Sequence, residues 1–210
     1  MDAQIEQRWQ ALAAPVTVEL PPLPPSSKAN RGRRAANDPH FDVRALIYRV
    51  VGVDLTQIEG IGPSVLQGFI AEVGWDMRRW KSAKHFASWL GVCPYNKITG
   101  GRVLASGTKR TTGAAKHLLR LAAQSLKHSK SLLGEHFRRL RARLGAPMAI
   151  PAMAHKLARI LYAMLSRAQS YDPRKLEQQQ ERQRHRAVRH LKKRAAALGF
   201  QLVPAAIPST

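Results

Sequence analysis

The chain has 210 residues, of which 44% are hydrophobic, which is enough for one globular domain with additional segments. Its 35 lysines and arginines outnumber 13 acidic residues and give a formal charge of +22, which attracts polyanions. No apolar run is long enough to cross a membrane, the N-terminus is unlike a secretion signal, and the single Cys93 excludes an internal disulfide. The composition therefore predicts a cytoplasmic protein that binds DNA or RNA and no membrane.

The positive charge is concentrated in two segments. Residues 1–27 have a net charge of −2, whereas residues 102–145 have +10 and residues 174–194 have +7. These segments could be solvated helix faces, but unpaired like charges repel one another unless a polyanion neutralises them. We therefore expect nucleic-acid contacts in the helices at 116–143 and 174–194.

The N-terminal part divides into a short helix and a linker. Residues 2–13 have helical spacing, but a helix of this length needs a partner to be stable. Residues 14–40 contain PPLPP, which favours polyproline II, followed by a basic segment without apolar residues. We expect residues 14–40 to be a linker.

A helical domain is predicted over residues 41–170. It begins with the amphipathic FDVRALIYRVVG, which ends at Gly52. Residues 54–73 then have the pattern of a helix–hairpin–helix, in which Gly60 and Gly62 allow a tight turn and the amides at Ser64 and beyond can point at a phosphate. A turn between two core helices with no ligand explains the same residues equally well.

The segment YNKITGGRVLASGTKRT, residues 95–111, combines glycines, hydroxyls and cations and contains no acid. Covalent phosphoryl transfer needs a hydroxyl nucleophile and cations that stabilise the phosphate oxygens. On composition alone an ordinary solvated loop is favoured, because serine and threonine are common turn formers. The hydroxyl candidates are Thr99, Ser106, Thr108, Thr111 and Thr112, and the candidate phosphate contacts are Lys97, Gly100, Gly101, Arg102, Ser106, Lys109, Arg110, Lys116 and Arg120.

Periodicity predicts further helices at 112–128, 131–144, 148–168 and, after an Asp172 cap and Pro173, to about residue 198. Residues 171–204 are thus a basic C-terminal helix and tail. A strand is expected only as a small hairpin within 95–106, so the fold class is all-α. No metal site is predicted, since Asp54 suits a helix cap, Glu59 and Glu72 suit the solvent-facing side, and the histidines are scattered.

Several unusual strings occur together and in order: IEGIGPSVLQGFIAEVG, FASWLGVCPYNKITGGRVLASGTKRTTGAAKHLLRLAAQSL, LGAPMAIPAMAHKLARILYAML and RHLKKRAAALGFQLVP. Across residues 20–204 the chain resembles the C-terminal Tnp domain of the bridge-RNA-guided insertion-sequence transposases. The resemblance implies a DNA recombinase whose RuvC-like domain binds Mg²⁺ through four acidic residues and whose Tnp-domain serine attacks DNA. It also implies a bacterial, nucleoid-associated oligomer that binds DNA and a structured guide RNA.

The chain departs from this family pattern in two ways. The RuvC-like domain is missing, so residues 1–13 look like the remnant of the stalk that follows it and no cofactor is expected in this chain. The family loop usually reads ISGG, whereas this chain has KITGG, which places Thr99 at the position of the family serine. A β-branched nucleophile has restricted rotamers, so we expect a truncated recombinase that binds DNA but is weak or inactive alone. The alternatives are a stand-alone DNA- or RNA-binding protein and an oligomerisation partner of an intact transposase.

Overall fold

The computed structural model describes residues 2–14, 20–25, 39–95, 97–105, 107–108 and 112–203. These residues are mostly helical, which confirms the all-α prediction. The helices are α1 (Asp2–Ala13), α2 (Val43–Val51), α3 (Pro63–Val73), α4 (Ala83–Trp89), α5 (Ala114–Ser125), α6 (Leu132–Leu144), α7 (Ala146–Arg167) and α8 (Arg174–Ala197), with short 3-10 turns at Leu55–Gln57, Met77–Arg79 and Leu126–His128. Strands β1 (Lys97–Thr99) and β2 (Arg102–Ala105) lie between α4 and α5.

The chain forms two compact units, Met1–Tyr171 and Asp172–Thr210. In the first unit, helix α7 is the central element, because it packs against α4, α5 and α6. Its inward residues Met153, Leu157 and Leu161 are fully buried. The spacing of four residues between these positions places them on one face of the helix, as the sequence pattern predicts.

An aromatic cluster fixes α4 against α7. Phe86 lies 4.9 Å from Trp80, 5.6 Å from Tyr162 and 6.3 Å from Phe69, measured between ring centroids. The Tyr162 hydroxyl donates a hydrogen bond of 2.9 Å to the Trp80 carbonyl. Edge-on aromatic pairs add stabilisation beyond the area they bury, so these contacts hold α4 and the segment before it against α7.

The N-terminal part of the first unit is held by polar contacts to α2. The Arg44 guanidinium forms an ion pair of 2.5 Å with buried Asp54, whose carboxylate also accepts from the Thr56 amide at 3.0 Å. Asp54 therefore caps the 3-10 turn, as predicted. Arg44 additionally donates to the Pro24 carbonyl, and the Tyr48 hydroxyl donates to the Pro21 carbonyl at 2.8 Å.

The segment predicted as a linker is thus docked in part. Residues 20–25 lie against α2, because carbonyls in a proline-rich segment have no helical or sheet partner and accept bonds from α2 side chains. Residues 15–19 and 26–38 lie outside the described part of the chain. Helix α1 finds its partner in α2 and buries Trp9.

The second unit contains α8, which begins at Arg174 with Pro173 as its N-cap, one residue later than predicted. The Asp172 carboxylate accepts a bond of 3.0 Å from the Arg174 amide. Of the predicted tail, residues 204–210 lie outside the described part. No helix among the described residues combines the length and the apolar character that crossing a membrane requires.

Candidate nucleic-acid interface

The predicted hydroxyl segment folds into a β-hairpin with a two-residue turn. Strands β1 and β2 are antiparallel, and Gly100 and Gly101 connect them with φ values of 56° and 75°. Consecutive residues with positive φ are typical of the tight hairpin turn that suits strand twist, and glycine adopts them without strain. Nothing lies within 4 Å of a Cβ built on either glycine, so the hairpin tip is open.

Thr99 and Arg102 form the pair of residues that flanks this turn. They are directly opposite each other in the strand register, and both side chains are exposed. Directly opposite residues have Cβ atoms roughly 5 Å apart, so a hydroxyl and a guanidinium are presented together. The arrangement can hold a phosphate, with the cation next to the hydroxyl.

The structure describes other predicted hairpin residues only in part. Lys97 pairs with Ala105 through the backbone, and its side chain is not described. The predicted residues Ser106, Lys109, Arg110 and Thr111 lie outside the described part of the chain. At the hairpin base, the Tyr95 amide donates to the Gly107 carbonyl at 2.7 Å, and Pro94 bridges to Thr108.

In the Gly60–Gly62 turn, Gly60 packs against α5, whereas Gly62 borders open space. Gly60 has a φ of +84°, and a Cβ there would lie 2.7 Å from the Ala122 carbonyl oxygen, so glycine is required where the turn meets α5. Gly62 has an ordinary φ of −89° and no atom within 4 Å of a built Cβ. It precedes Pro63, the first residue of α3.

An open pocket of about 640 Å³ lies beside this turn. The Ser129 hydroxyl donates to the Glu59 carboxylate at 2.7 Å, and Ser131 caps α6 by accepting from the Gly134 amide at 3.1 Å. Glu59 is therefore half-buried and hydrogen-bonded rather than simply solvent-facing, and its charge opposes an anion in the pocket. The lining residues are Glu59, Gly60, Gly62, Ser125, Leu126, Ser129, Lys130 and Ser131.

The predicted contacts on α5 and α3 differ in accessibility. Arg120 is exposed and Ser64 is half-buried, whereas Lys116 is only 9% exposed. Burial lowers the pKa of Lys116, and the nearby charge of Arg120 adds to the effect. Lys116 thus offers little surface to a ligand.

The predicted site residues form two groups at the two ends of α5. Gly60 meets Ala122 and Ser125 in the last turn of α5, whereas the hairpin precedes its first turn in the chain. A helix of 12 residues is roughly 18 Å long, so the Gly60 turn lies about that far from the first turn of α5, which follows the hairpin in the chain.

Sequence reasoning missed the role of Glu72. Its carboxylate is exposed but accepts from the Ala115 amide at 2.5 Å, and it caps α5, whose own N-cap residue Gly113 has no side chain. The partners are 43 positions apart, so no local pattern could reveal the contact. Among the described residues no group of histidine, cysteine, aspartate and glutamate side chains could hold a metal ion.

Comparison with known proteins supports a transposase relationship. Residues 54–138 match the family model described as Transposase IS116/IS110/IS902 family. A protein of Pseudomonas aeruginosa described as a family 20 transposase is 33% identical over 124 residues, which cover 57% of this chain and 36% of that protein. A protein of Sinorhizobium fredii described as the transposase y4pF/y4sB is 30% identical over 127 residues, which cover 56% of this chain and 32% of that protein.

The matched region holds the Gly60–Gly62 turn, the hairpin and α5. The alignments span about a third of the length of these curated relatives. The chain therefore carries a region that matches the IS116/IS110/IS902 transposase family and has transposases as its homologues.

Proposed function

We propose that the chain is the DNA-binding part of an insertion-sequence transposase and that it holds the DNA backbone at the tip of the β1–β2 hairpin. The observation that carries this proposal is the exposed Thr99–Arg102 pair on an open glycine turn, within the segment that matches the transposase family model. Phosphate contacts from arginine and from hydroxyls position a protein on DNA without reading its sequence.

In the bridge-RNA-guided transposases that this chain resembles, a serine acts as the nucleophile. Thr99 stands at the position of that serine. In the proposed step, the Thr99 hydroxyl oxygen forms a bond to phosphorus and the bond from phosphorus to one sugar oxygen breaks. The hydroxyl proton leaves Thr99, and the departing sugar oxygen gains a proton. Arg102 stabilises the charge that builds up on the non-bridging oxygens.

This chemistry needs groups that the hairpin segment does not supply. Residues 95–111 contain no carboxylate and no histidine, so a base for the Thr99 proton must come from elsewhere. We propose that an acidic, Mg²⁺-binding RuvC-like domain, in an oligomer with a guide RNA, completes the site. The chain alone is then expected to bind DNA with little or no strand transfer.

The nucleophile is tested by trapping a covalent protein–DNA adduct. The chain is mixed with a separately expressed RuvC-like domain, guide RNA and DNA, and the adduct is measured on a denaturing gel for Thr99→Ser, Thr99→Ala and the control Thr108→Ser at the hairpin base. We expect an adduct that Thr99→Ser strengthens, that Thr99→Ala abolishes and that the control leaves unchanged. An adduct that persists in Thr99→Ala refutes Thr99 as the nucleophile.

DNA binding is tested separately, because it requires no partner domain. Arg102→Gln is expected to lower the affinity for a short labelled duplex and to reduce the salt dependence by about one counterion. Arg49→Gln, an equal charge change at an exposed residue of α2, is the control. Tight binding without any adduct in the trapping assay would favour the stand-alone nucleic-acid-binding protein over the transposase.

A further inference from the structure

One face of helix α6 carries a histidine and two arginines. His136, Arg139 and Arg143 are spaced three and four residues apart, so they share one face of the helix. This face borders the buried stripe formed by Leu133 and Phe137, and α6 packs along α7. The three side chains therefore lie at the edge of the α6–α7 contact.

Helix α7 adds two cations to the same edge. Lys156 is half-buried and Arg159 is exposed, and their spacing of three residues places them on neighbouring positions of the helix surface. Helix α7 contains no acidic residue, and the single acid of α6, Glu135, pairs with Arg139. We name the five residues His136, Arg139, Arg143, Lys156 and Arg159 the α6–α7 cationic surface.

The electrostatic effects between the two helices agree with this placement. Partial burial lowers the pKa of His136 to about 4, and the charges of Lys156, Arg139 and Arg143 add to this effect. Burial also lowers the pKa of Lys156, and Arg159 contributes by repulsion. Positive charges on two helices therefore act on one another, at a cost to the stability of the fold.

The cationic surface extends towards the hairpin. Helix α7 packs against α4, and Cys93 follows the end of α4 by four residues. Burial raises the pKa of the Cys93 thiol, and the charge of Arg159 on α7 partly offsets the increase. Cys93 directly precedes Pro94, which forms the bridge at the hairpin base. A ligand on the α6–α7 cationic surface would thus lie near the base of the hairpin that carries Thr99.

We propose that the α6–α7 cationic surface binds a second stretch of sugar–phosphate backbone, in continuation of the strand held by the hairpin. This inference rests on the proposed function, because it assumes a nucleic-acid ligand. Phosphate oxygens would neutralise the mutual repulsion of the cluster, and arginine matches phosphate geometry with paired donors. Sequence reasoning anticipated contacts on α6 but missed Lys156 and Arg159, since α7 as a whole has the pattern of a core helix.

The test compares two double variants with equal charge changes. Arg143→Gln/Arg159→Gln removes two exposed cations of the surface, and the control Arg49→Gln/Lys81→Gln removes two exposed cations on α2 and before α4. Affinity for a short fluorescein-labelled DNA duplex is measured by anisotropy over a series of salt concentrations. The affinity of the surface variant is expected to be at least roughly tenfold lower than that of the wild type at about 0.1 M salt. Its salt dependence is expected to correspond to about two fewer released counterions. The control is expected to change both quantities little.

A charge-preserving variant separates phosphate binding from packing. Arg143→Lys/Arg159→Lys is expected to keep the salt slope of the wild type, because each ammonium still neutralises a phosphate. Titration of His136 by NMR gives a local measurement: bound DNA should raise its pKa above about 4, since phosphates offset the surrounding cations. An unchanged His136 pKa in the DNA complex overturns the inference.

The outcomes separate this inference from the proposed function. If the wild type does not bind the duplex at all, the proposed function fails. If the wild type binds and Arg102→Gln weakens binding, but the surface variant behaves like the control, only the second backbone site is wrong.

Discussion

Replacement of Gly60 by alanine tests the packing of the turn against α5. Gly60 has a φ of +84°, and the added Cβ would lie 2.7 Å from the Ala122 carbonyl oxygen and 3.1 Å from the Ser125 hydroxyl. The left-handed conformation costs alanine about 1–2 kcal/mol. Because the nearest atom belongs to a helix backbone and cannot rotate away, the contact adds about 1–2 kcal/mol of strain. We expect Gly60→Ala to lower the free energy of unfolding by about 2–4 kcal/mol.

Gly62→Ala is the matched control in the same turn. Gly62 has a φ of −89° and open space around a built Cβ, so alanine fits without strain. Its effect on stability is expected to stay within about 0.5 kcal/mol, with a small gain from the lower entropy of the unfolded chain. Urea unfolding followed by circular dichroism measures both variants. A loss below about 1 kcal/mol for Gly60→Ala, or equal losses for the two variants, would refute the reasoning.

Three further variants or titrations test contacts in the first unit. Asp54→Asn leaves the Arg44 guanidinium without its buried counter-charge and should cost about 3 kcal/mol in urea unfolding, whereas a cost below about 1 kcal/mol would contradict the ion pair's role. Glu72→Ala removes the acceptor for the Ala115 amide and should cost about 1 kcal/mol, with Glu72→Gln costing less. The pKa of His136 is lowered from 6.5 to about 4 in the folded state, so protonation favours the unfolded chain, and stability is complete above pH 6.5 and falls as the pH approaches 4. Allowing for solvent screening of this half-buried ring, His136→Gln should reduce the acid-induced loss by about 1–2 kcal/mol, and an identical pH profile would rule out this explanation.

Local patterns in the sequence account for much of the fold. The helices follow the spacing of apolar residues, and the cap at Asp54 follows from its position before a turn. The Gly100–Gly101 pair marks the hairpin turn, because few other residues adopt two consecutive positive φ values. Each of these features depends on residues within about one helical turn of one another, which is the range that a sequence pattern can report.

Features that depend on distant partners were not predictable. The docking of residues 20–25 depends on Arg44 and Tyr48, whose bonds to proline carbonyls join positions 20 and 27 apart. The cap of α5 depends on Glu72, from a different helix. In each case the side chain satisfies a backbone group that would otherwise lack a partner. Such a need is evident only after the helices are packed.

The candidate site shows why net charge alone cannot locate an interface. The excess of cations over residues 102–145 includes Lys116, which is almost buried, and Arg102, which is exposed beside Thr99. Both contribute equally to the net charge, but only an accessible cation can neutralise a phosphate. The cations of α6 lie beside further cations on α7, a helix whose apolar pattern suggests only core packing. The salt dependence of exposed-residue variants, rather than the charge of a segment, therefore decides which cations contact nucleic acid.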